Sequence, residues 1–139
     1  MRLSRRGTLA LGAGWLAASI VDLPALALPA DADAEIAKFT GGKGAEPGAI
    51  SIDLPEIAEN GNTVPLAIVV DHPMTAENYV SDILVVSDGN PFPGIAKFHL
   101  TPMSGRAEAA TRIRLASTEN VIVVAKTSGG RLYTARKLV

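Results

Sequence analysis

Apolar and polar residues alternate along most of the chain after residue 48, a pattern typical of half-buried β-strands. The alternation is clearest at residues 95–100, where Lys97 and His99 oppose the apolar side, and at residues 106–115. The polar face of the second segment is charged and carries Arg106, Glu108, Arg112 and Arg114. Because a loop with proline and glycine joins the two segments, we predict that they form an antiparallel hairpin.

Further short apolar or alternating segments predict more strands, at residues 49–54, 63–71, 81–86, 120–126 and 132–139. Residues 63–71 are apolar on both faces, so this strand is predicted to be central in its sheet or to lie at an interface. Short strands separated by Gly/Pro turns, with almost no helix, predict an all-β fold. We expect an immunoglobulin-like antiparallel β-sandwich of about seven strands.

One short helix is predicted before the strands, at residues 31–39. Asp31 or Asp33 can cap its start, and Ile36 and Phe39 share a face at i, i+3. The glycines at positions 41 and 42 end it, and residues 43–48 are predicted to be loop. The helix and loop therefore occupy residues 28–48, and the sandwich occupies residues 49–139.

Residues 1–27 have the order of an export signal, with a basic start, an apolar run and small residues at the end. The pair Arg5 and Arg6 fits a twin-arginine signal, which exports folded proteins to the periplasm. An ordinary secretory signal that carries two arginines is the alternative. We expect cleavage after Ala27, with Ala32 as the second choice.

The charge and the amino-acid composition of the chain exclude several classes of function. Cleavage after Ala27 removes three basic residues and one acidic residue, which changes the net charge from −1 to −3. A mildly acidic domain is a poor candidate for binding nucleic acid or an anionic membrane. The chain contains no cysteine, so disulfides and thiol chemistry are excluded for the sequence as it stands.

Short motifs follow one another in a fixed order at residues 52–61, 64–65, 72–75, 79–80, 90–93, 96–98, 100–102, 104–105 and 111–115. Together they resemble SoxY, the sulfur-carrier subunit of the bacterial thiosulfate-oxidising (Sox) system. The resemblance covers essentially the whole chain after the export signal.

The resemblance implies an immunoglobulin-like sandwich, a tight pairing with SoxZ, and transient contact with other Sox enzymes. It also implies a mobile C-terminal arm, Gly-Gly-Cys-Gly-Gly, whose cysteine carries sulfur intermediates as covalent adducts. The sequence departs from that pattern, because it ends at Val139 and has no carrier cysteine. Two explanations are open: a truncated sequence, or a cysteine-free relative that keeps the scaffold and partner-binding role.

Other functions have less support in the sequence. His72 with Met74, and His99 with Met103, contain ligand types that suit Cu(I), so an exported copper chaperone is the alternative function. The row Arg106, Arg112 and Arg114 can contact an acidic partner or anionic sulfur species, although such rows are more often solvated.

An enzymatic function has no motif in its favour. The nearest carboxylate group, formed by Asp53, Glu56 and Glu59, falls on a strand end and its connection. We therefore expect no catalytic residues, no metal, no cofactor and no enzymatic activity.

Overall fold

The computed structural model describes residues 29–139, and the predicted export signal with Arg5 and Arg6 lies outside the described residues. Within residues 29–139, no helix is long and apolar enough to cross a membrane. The described chain runs through α1 (Pro29–Thr40), β1 (Glu46–Pro47), β2 (Ile50–Asp53), β3 (Val64–Val70), β4 (Val80–Ser87), β5 (Gly94–His99), a 3-10 turn (Pro102–Ser104), β6 (Glu108–Ile113), β7 (Asn120–Thr127) and β8 (Leu132–Leu138).

The strands form two sheets, one in the order β1-β8-β7-β4-β5 and one in the order β2-β3-β6. Neighbouring strands are antiparallel except β1 and β8, which are parallel. The sheets enclose one apolar core, to which both contribute; its members include Leu66, Ile68, Val70, Ile83, Val85, Ile113, Val121 and Val123. This confirms the predicted immunoglobulin-like β-sandwich.

β3 is the middle strand of the three-stranded sheet, as its apolar composition predicted. Its inward residues are Val64, Leu66, Ile68 and Val70, each at most 3% exposed. The residues between them face away from the core and are exposed or half-buried. A strict alternation of period two therefore determines which side chains enter the sandwich.

The predicted hairpin between residues 95–100 and 106–115 is wrong. β5 pairs with β4 in the five-stranded sheet, whereas β6 pairs with β3 in the three-stranded sheet. The Leu100 N–H still bonds to the Ser81 carbonyl oxygen (2.8 Å), and the Ala107 carbonyl accepts the Val70 N–H (2.8 Å). The 3-10 turn and Gly105, at φ 75°, carry the chain from one sheet to the other between these two bonds.

The helix α1 packs on the outer face of the five-stranded sheet. Its Ile36 and Phe39 share a face, as predicted, and form a second apolar cluster with Ala32 and with β4 and β7. The strand residues of that cluster are Leu84, Val86, Ile122 and Val124. Because their neighbours in sequence enter the sandwich core, β4 and β7 are buried on both faces.

The start of α1 differs from the prediction, whereas its end agrees with it. The helix already includes Pro29, so Asp31 lies in its first turn and neither Asp31 nor Asp33 is its N-cap. Its C-terminal end follows the prediction, since the Gly42 N–H bonds to the Ala37 carbonyl oxygen at 3.2 Å. This is the six-to-one bond of a Schellman cap, and it requires the positive φ of the glycines.

The predicted loop at residues 43–48 contains β1, a strand of two residues that the alternation could not reveal. β1 runs parallel to β8, with Glu46 in register with Tyr133. The Arg131 Nη2 lies 3.1 Å from the Glu46 Oε2 beside this pairing. The segment after the helix is thereby attached to the edge of the five-stranded sheet.

Adjacent residues of β3 provide a matched test of this architecture. We expect Ile68→Ala to lower the free energy of unfolding by about 2–5 kcal/mol, because Ile68 is 1% exposed and its truncation leaves a core cavity. Val69→Ala, one residue along and 40% exposed, should change it by less than about 1 kcal/mol. Urea denaturation followed by circular dichroism measures both, and equal losses would contradict the assigned faces.

Candidate partner-binding surface

The outer face of the three-stranded sheet presents apolar side chains along its central strand. Pro65, Ala67 and Val69 alternate with the core residues of β3 and point away from the sandwich. Val69 is 40% exposed, which is unusual for a β-branched residue in the middle of a sheet. No described element covers these three side chains, so the face is available to a partner.

The neighbouring strands surround this apolar centre with small and charged residues. On β6, Ala110 lies opposite Ala67, while Glu108 lies opposite Val69 and Arg112 opposite Pro65. On β2, Asp53 is in register with Ala67. Shallow grooves of about 420 and 230 Å³ run over the face. An apolar centre with a charged rim is the common organisation of protein–protein interfaces.

The arginines predicted to form one row have different surroundings. The Arg106 Nη2 lies 3.0 Å from the Glu108 Oε1, so its charge is paired at the surface. Arg112 lines the larger groove next to Pro65 and belongs to the rim of the apolar face. Arg114 lies beyond the end of β6 and is exposed. Of the row, Arg112 is the arginine placed to contact a partner bound to this face.

Ala110 was missing from the sequence prediction because it lies on the charged side of its strand. Its small size could have identified it in the sequence. Ala110 lies between Glu108 and Arg112 on the same face and is in register with Ala67, so its short side chain leaves Ala67 accessible. The apolar character of residues 63–71 on both faces was the signal that did identify the outward side chains of β3.

The end of β8 lies beside a groove at one end of the sandwich. Val139 exchanges two backbone hydrogen bonds with Glu119, at 3.0 and 3.1 Å. The groove has a volume of about 630 Å³, and Ile57, Leu138 and Val139 are among its lining residues. The Lys137 Nζ donates to the Leu54 carbonyl oxygen at 2.7 Å, which ties the last strand to the segment after β2.

His72 and Met74 both have structural partners. The His72 Nε2 lies 2.9 Å from the Asn78 Oδ1, and its Nδ1 lies 3.3 Å from the Tyr133 hydroxyl. The Met74 Sδ accepts the Val80 N–H at 3.3 Å and packs against the core. These contacts account for both residues as supports of the turn before β4.

The second predicted pair is not assembled as a ligand set. The His99 Nδ1 lies 2.6 Å from the Asp82 Oδ1 across the β4–β5 ladder, while Met103 is 96% exposed on the 3-10 turn. Across residues 29–139, no group of three or more His, Cys, Asp or Glu side chains could hold a metal ion.

The three carboxylates that the sequence grouped together serve different surfaces. Asp53 lines the groove on the apolar face, whereas Glu56 lines the groove beside Val139. Glu59 lines a third groove, of about 410 Å³, at the same connection. Within residues 29–139, the three carboxylates therefore line three separate grooves and do not form one site.

Comparison with known proteins gives one family and one group of similar folds. The family model described as "Sulfur oxidation protein SoxY" matches residues 36–139. A search of curated proteins gives no match. The solved structure of the sulfur carrier protein SoxY from Chlorobium limicola f thiosulfatophilum is similar, with a TM-score of 0.67 and 34% identity. That match covers 79% of this chain and 90% of the Chlorobium chain.

Superoxide reductases share the fold. The neelaredoxin of Ignicoccus hospitalis has a TM-score of 0.59 at 18% identity, covering 66% of this chain and 79% of its own. A putative superoxide reductase from Thermotoga maritima has a TM-score of 0.56 at 18% identity, covering 73% and 88%. At such identities only the architecture is shared. The family match over residues 36–139 and the similarity to the Chlorobium protein show that the chain belongs to the SoxY family of sulfur oxidation proteins.

Proposed function

We propose that this chain is the SoxY-like subunit of a periplasmic carrier complex for sulfur oxidation. It is exported through the twin-arginine signal that contains Arg5 and Arg6 and pairs with a SoxZ-like protein. Other Sox enzymes dock on the pair transiently. The subunit acts as a carrier platform without catalysis of its own, and it binds neither nucleic acid nor, once the signal is removed, a membrane.

The observation that supports the pairing is the uncovered apolar face of β3. Pro65, Ala67 and Val69 form a strip of apolar surface in the centre of a sheet, where water contact is unfavourable. A second sandwich that placed its own sheet on this strip would bury it from both sides. The family membership supports a SoxZ-like protein as that partner, and the strip supports this face as the surface that the partner contacts.

The other sheet is a weaker candidate for the pairing. The outer face of its strands β4 and β7 is occupied by α1, whose Ile36 and Phe39 cover Leu84 and Val124 among others. A partner placed on these two strands would have to displace the helix and expose that cluster. The charged rim of the three-stranded sheet includes Asp53 and Arg112. These charges favour one orientation of the bound partner, because other orientations would bring like charges together.

The carrier role requires a thiol, which this sequence does not contain. A glycine-rich arm with a cysteine, joined to Val139, would start from a fixed base because Glu119 bonds both backbone groups of Val139. Glycines give such an arm reach, and a thiolate takes up and passes on sulfur. The proposed division is thus a rigid sandwich for partner binding and a flexible arm for transfer.

Charge placed on the apolar face tests the pairing. We expect Val69→Arg to weaken association with a co-expressed SoxZ-like protein by at least about tenfold, because it puts a cation into the centre of the interface. Met103→Arg makes the same kind of change at a position that is 96% exposed and outside the face. Titration calorimetry should show Met103→Arg binding like the wild type; equal binding by both variants would rule out this face.

Restoring the arm tests the carrier role. We expect a chain extended after Val139 by Gly-Gly-Cys-Gly-Gly to gain a reducible sulfur adduct when it is mixed with thiosulfate, the SoxZ-like partner, the Sox enzymes and an added two-electron oxidant. The oxidant is needed because the new S–S bond between the cysteine thiolate and the outer sulfur of thiosulfate releases two electrons. Intact-mass spectrometry reports the adduct. The unextended chain and a Gly-Gly-Ser-Gly-Gly extension should gain none, because they have no thiolate. An extended chain that pairs normally yet never acquires sulfur would contradict the carrier role while leaving the pairing intact.

The export route has its own test. We expect the double substitution Arg5→Lys and Arg6→Lys to leave the protein in the cytoplasm, because the twin-arginine machinery reads that arginine pair. Arg2→Lys is the matched control and should not change export. Cell fractionation with immunodetection measures the distribution, and unchanged periplasmic yield in the double variant would indicate an ordinary secretory signal.

A further inference from the structure

A cavity of about 610 Å³ lies where the end of α1 meets the start of β4 and the end of β7. Three lysines line it, Lys38, Lys43 and Lys126, together with Ser81 and Ser128. The lining contains no aspartate and no glutamate. By contrast, the grooves on the apolar face and beside Val139 each include a carboxylate.

One of these lysines lies over a buried aromatic ring that also lines the cavity. The Lys126 Nζ lies 5.1 Å from the centre of the Phe39 ring, and Phe39 is 8% exposed. Lys97, which is not part of the lining, lies over the same ring, with its Nζ 5.2 Å from the centre. Cation–π attraction therefore favours the position of the Lys126 ammonium group in the cavity.

These charges are not neutralised by the nearby carboxylates. Asp82 is the cross-strand partner of Lys126, but its oxygens bond to the His99 Nδ1 at 2.6 Å and the Ser81 hydroxyl at 2.9 Å. Among the described residues, no carboxylate oxygen lies within 4.0 Å of the ammonium groups of Lys126 and Lys97.

The remaining lysines add charge at the mouth of the cavity. Lys43 has no carboxylate partner among the described residues, and Lys38 contacts only the exposed Glu35, at 3.2 Å. Exposed pairs of this kind contribute little and exchange easily. The negative end of the α1 dipole also lies nearby, but it amounts to about half a charge against several full positive charges.

The Ser128 hydroxyl adds a hydrogen-bond donor beside the ammonium groups. The Ser128 Oγ accepts the Tyr79 N–H at 3.2 Å, which leaves its own proton free to donate. The floor is partly apolar, since Phe39 and Leu132 also line the cavity. Ammonium and hydroxyl groups beside a partly apolar surface can bind an oxyanion, because each of its oxygens can accept a hydrogen bond from a different donor.

We infer that this lysine cavity is a binding site for a tetrahedral oxyanion of the sulfate, thiosulfate and phosphate class. The anion is held by Lys38, Lys43 and Lys126 and by the Ser128 hydroxyl. The site is on the helix-covered sheet, away from the apolar face of β3, so its occupation requires no partner protein. The anion also relieves the repulsion among the three ammonium groups that line the cavity.

The test is an NMR titration of the purified chain with sodium sulfate, thiosulfate and phosphate in turn, at ionic strength held constant with sodium chloride. We expect saturable shifts of the amides at residues 38–43 and 126–130 with one anion per chain. The double variant Lys38→Gln/Lys43→Gln, both at exposed surface positions, should bind at least about tenfold more weakly. Arg114→Gln removes an exposed cation elsewhere and should leave the affinity unchanged.

A second variant separates charge from folding. Lys126→Met keeps an apolar stem on Phe39 and removes the ammonium group, so the protein should stay folded and lose at least about tenfold in affinity. Shifts that grow linearly without saturation, shifts centred on the arginines of residues 106–114, or full affinity in the folded lysine variants would each overturn the site.

Discussion

The burial of β4 and β7 on both faces is the constraint on which the rest of the structure depends. Toward the sandwich, Val85 and Val123 meet the three-stranded sheet; outward, Leu84, Val86, Ile122 and Val124 meet α1. Such strands cannot stand at a free surface, because their outward residues are as apolar as their inward ones. The helix is therefore part of the fold and not an appendage before it.

This constraint makes the two outer faces of the sandwich different. The five-stranded sheet is closed by α1, and the end of the helix gathers lysines around Phe39. Among residues 29–139, no element covers the three-stranded sheet, on which Pro65 and Val69 are exposed and Ala67 is half-buried. One face thus suits a polar ligand and the other an apolar partner, so the two surfaces can be occupied at the same time. The end of β8 is a third surface region, and two backbone hydrogen bonds between Val139 and Glu119 hold it in position.

Sequence alternation predicted which side chains enter the core, because the side chains of a strand alternate with period two whatever its neighbours are. It could not tell which sheet a strand joins: the Pro102 and Gly105 segment can close a hairpin or carry the chain between sheets, and here it does the latter. β1 was missed because two residues show no period and exist as a strand only through β8.

The candidate surfaces were predictable to different degrees. The apolar face followed from one segment, residues 63–71, whose two-sided composition was visible directly. The lysine cavity could not be predicted, because Lys126 is far in sequence from Lys38 and Lys43 and comes near them only when α1 packs on the sheet. Such a cluster leaves no motif and no regular spacing in the sequence, so it can be recognised only from the tertiary structure.

The central claim is that the uncovered sheet, and not the helix-covered one, receives the partner subunit. Methyl NMR of the alanine- and valine-labelled chain, with and without a SoxZ-like protein, tests it most directly. The account predicts that the methyl signals of Ala67, Val69 and Ala110 shift and lose contact with a soluble paramagnetic probe, while that of Ala32, buried between α1 and its sheet, stays unchanged. Unchanged signals from those three residues in a formed complex, with the changes at α1, would contradict it.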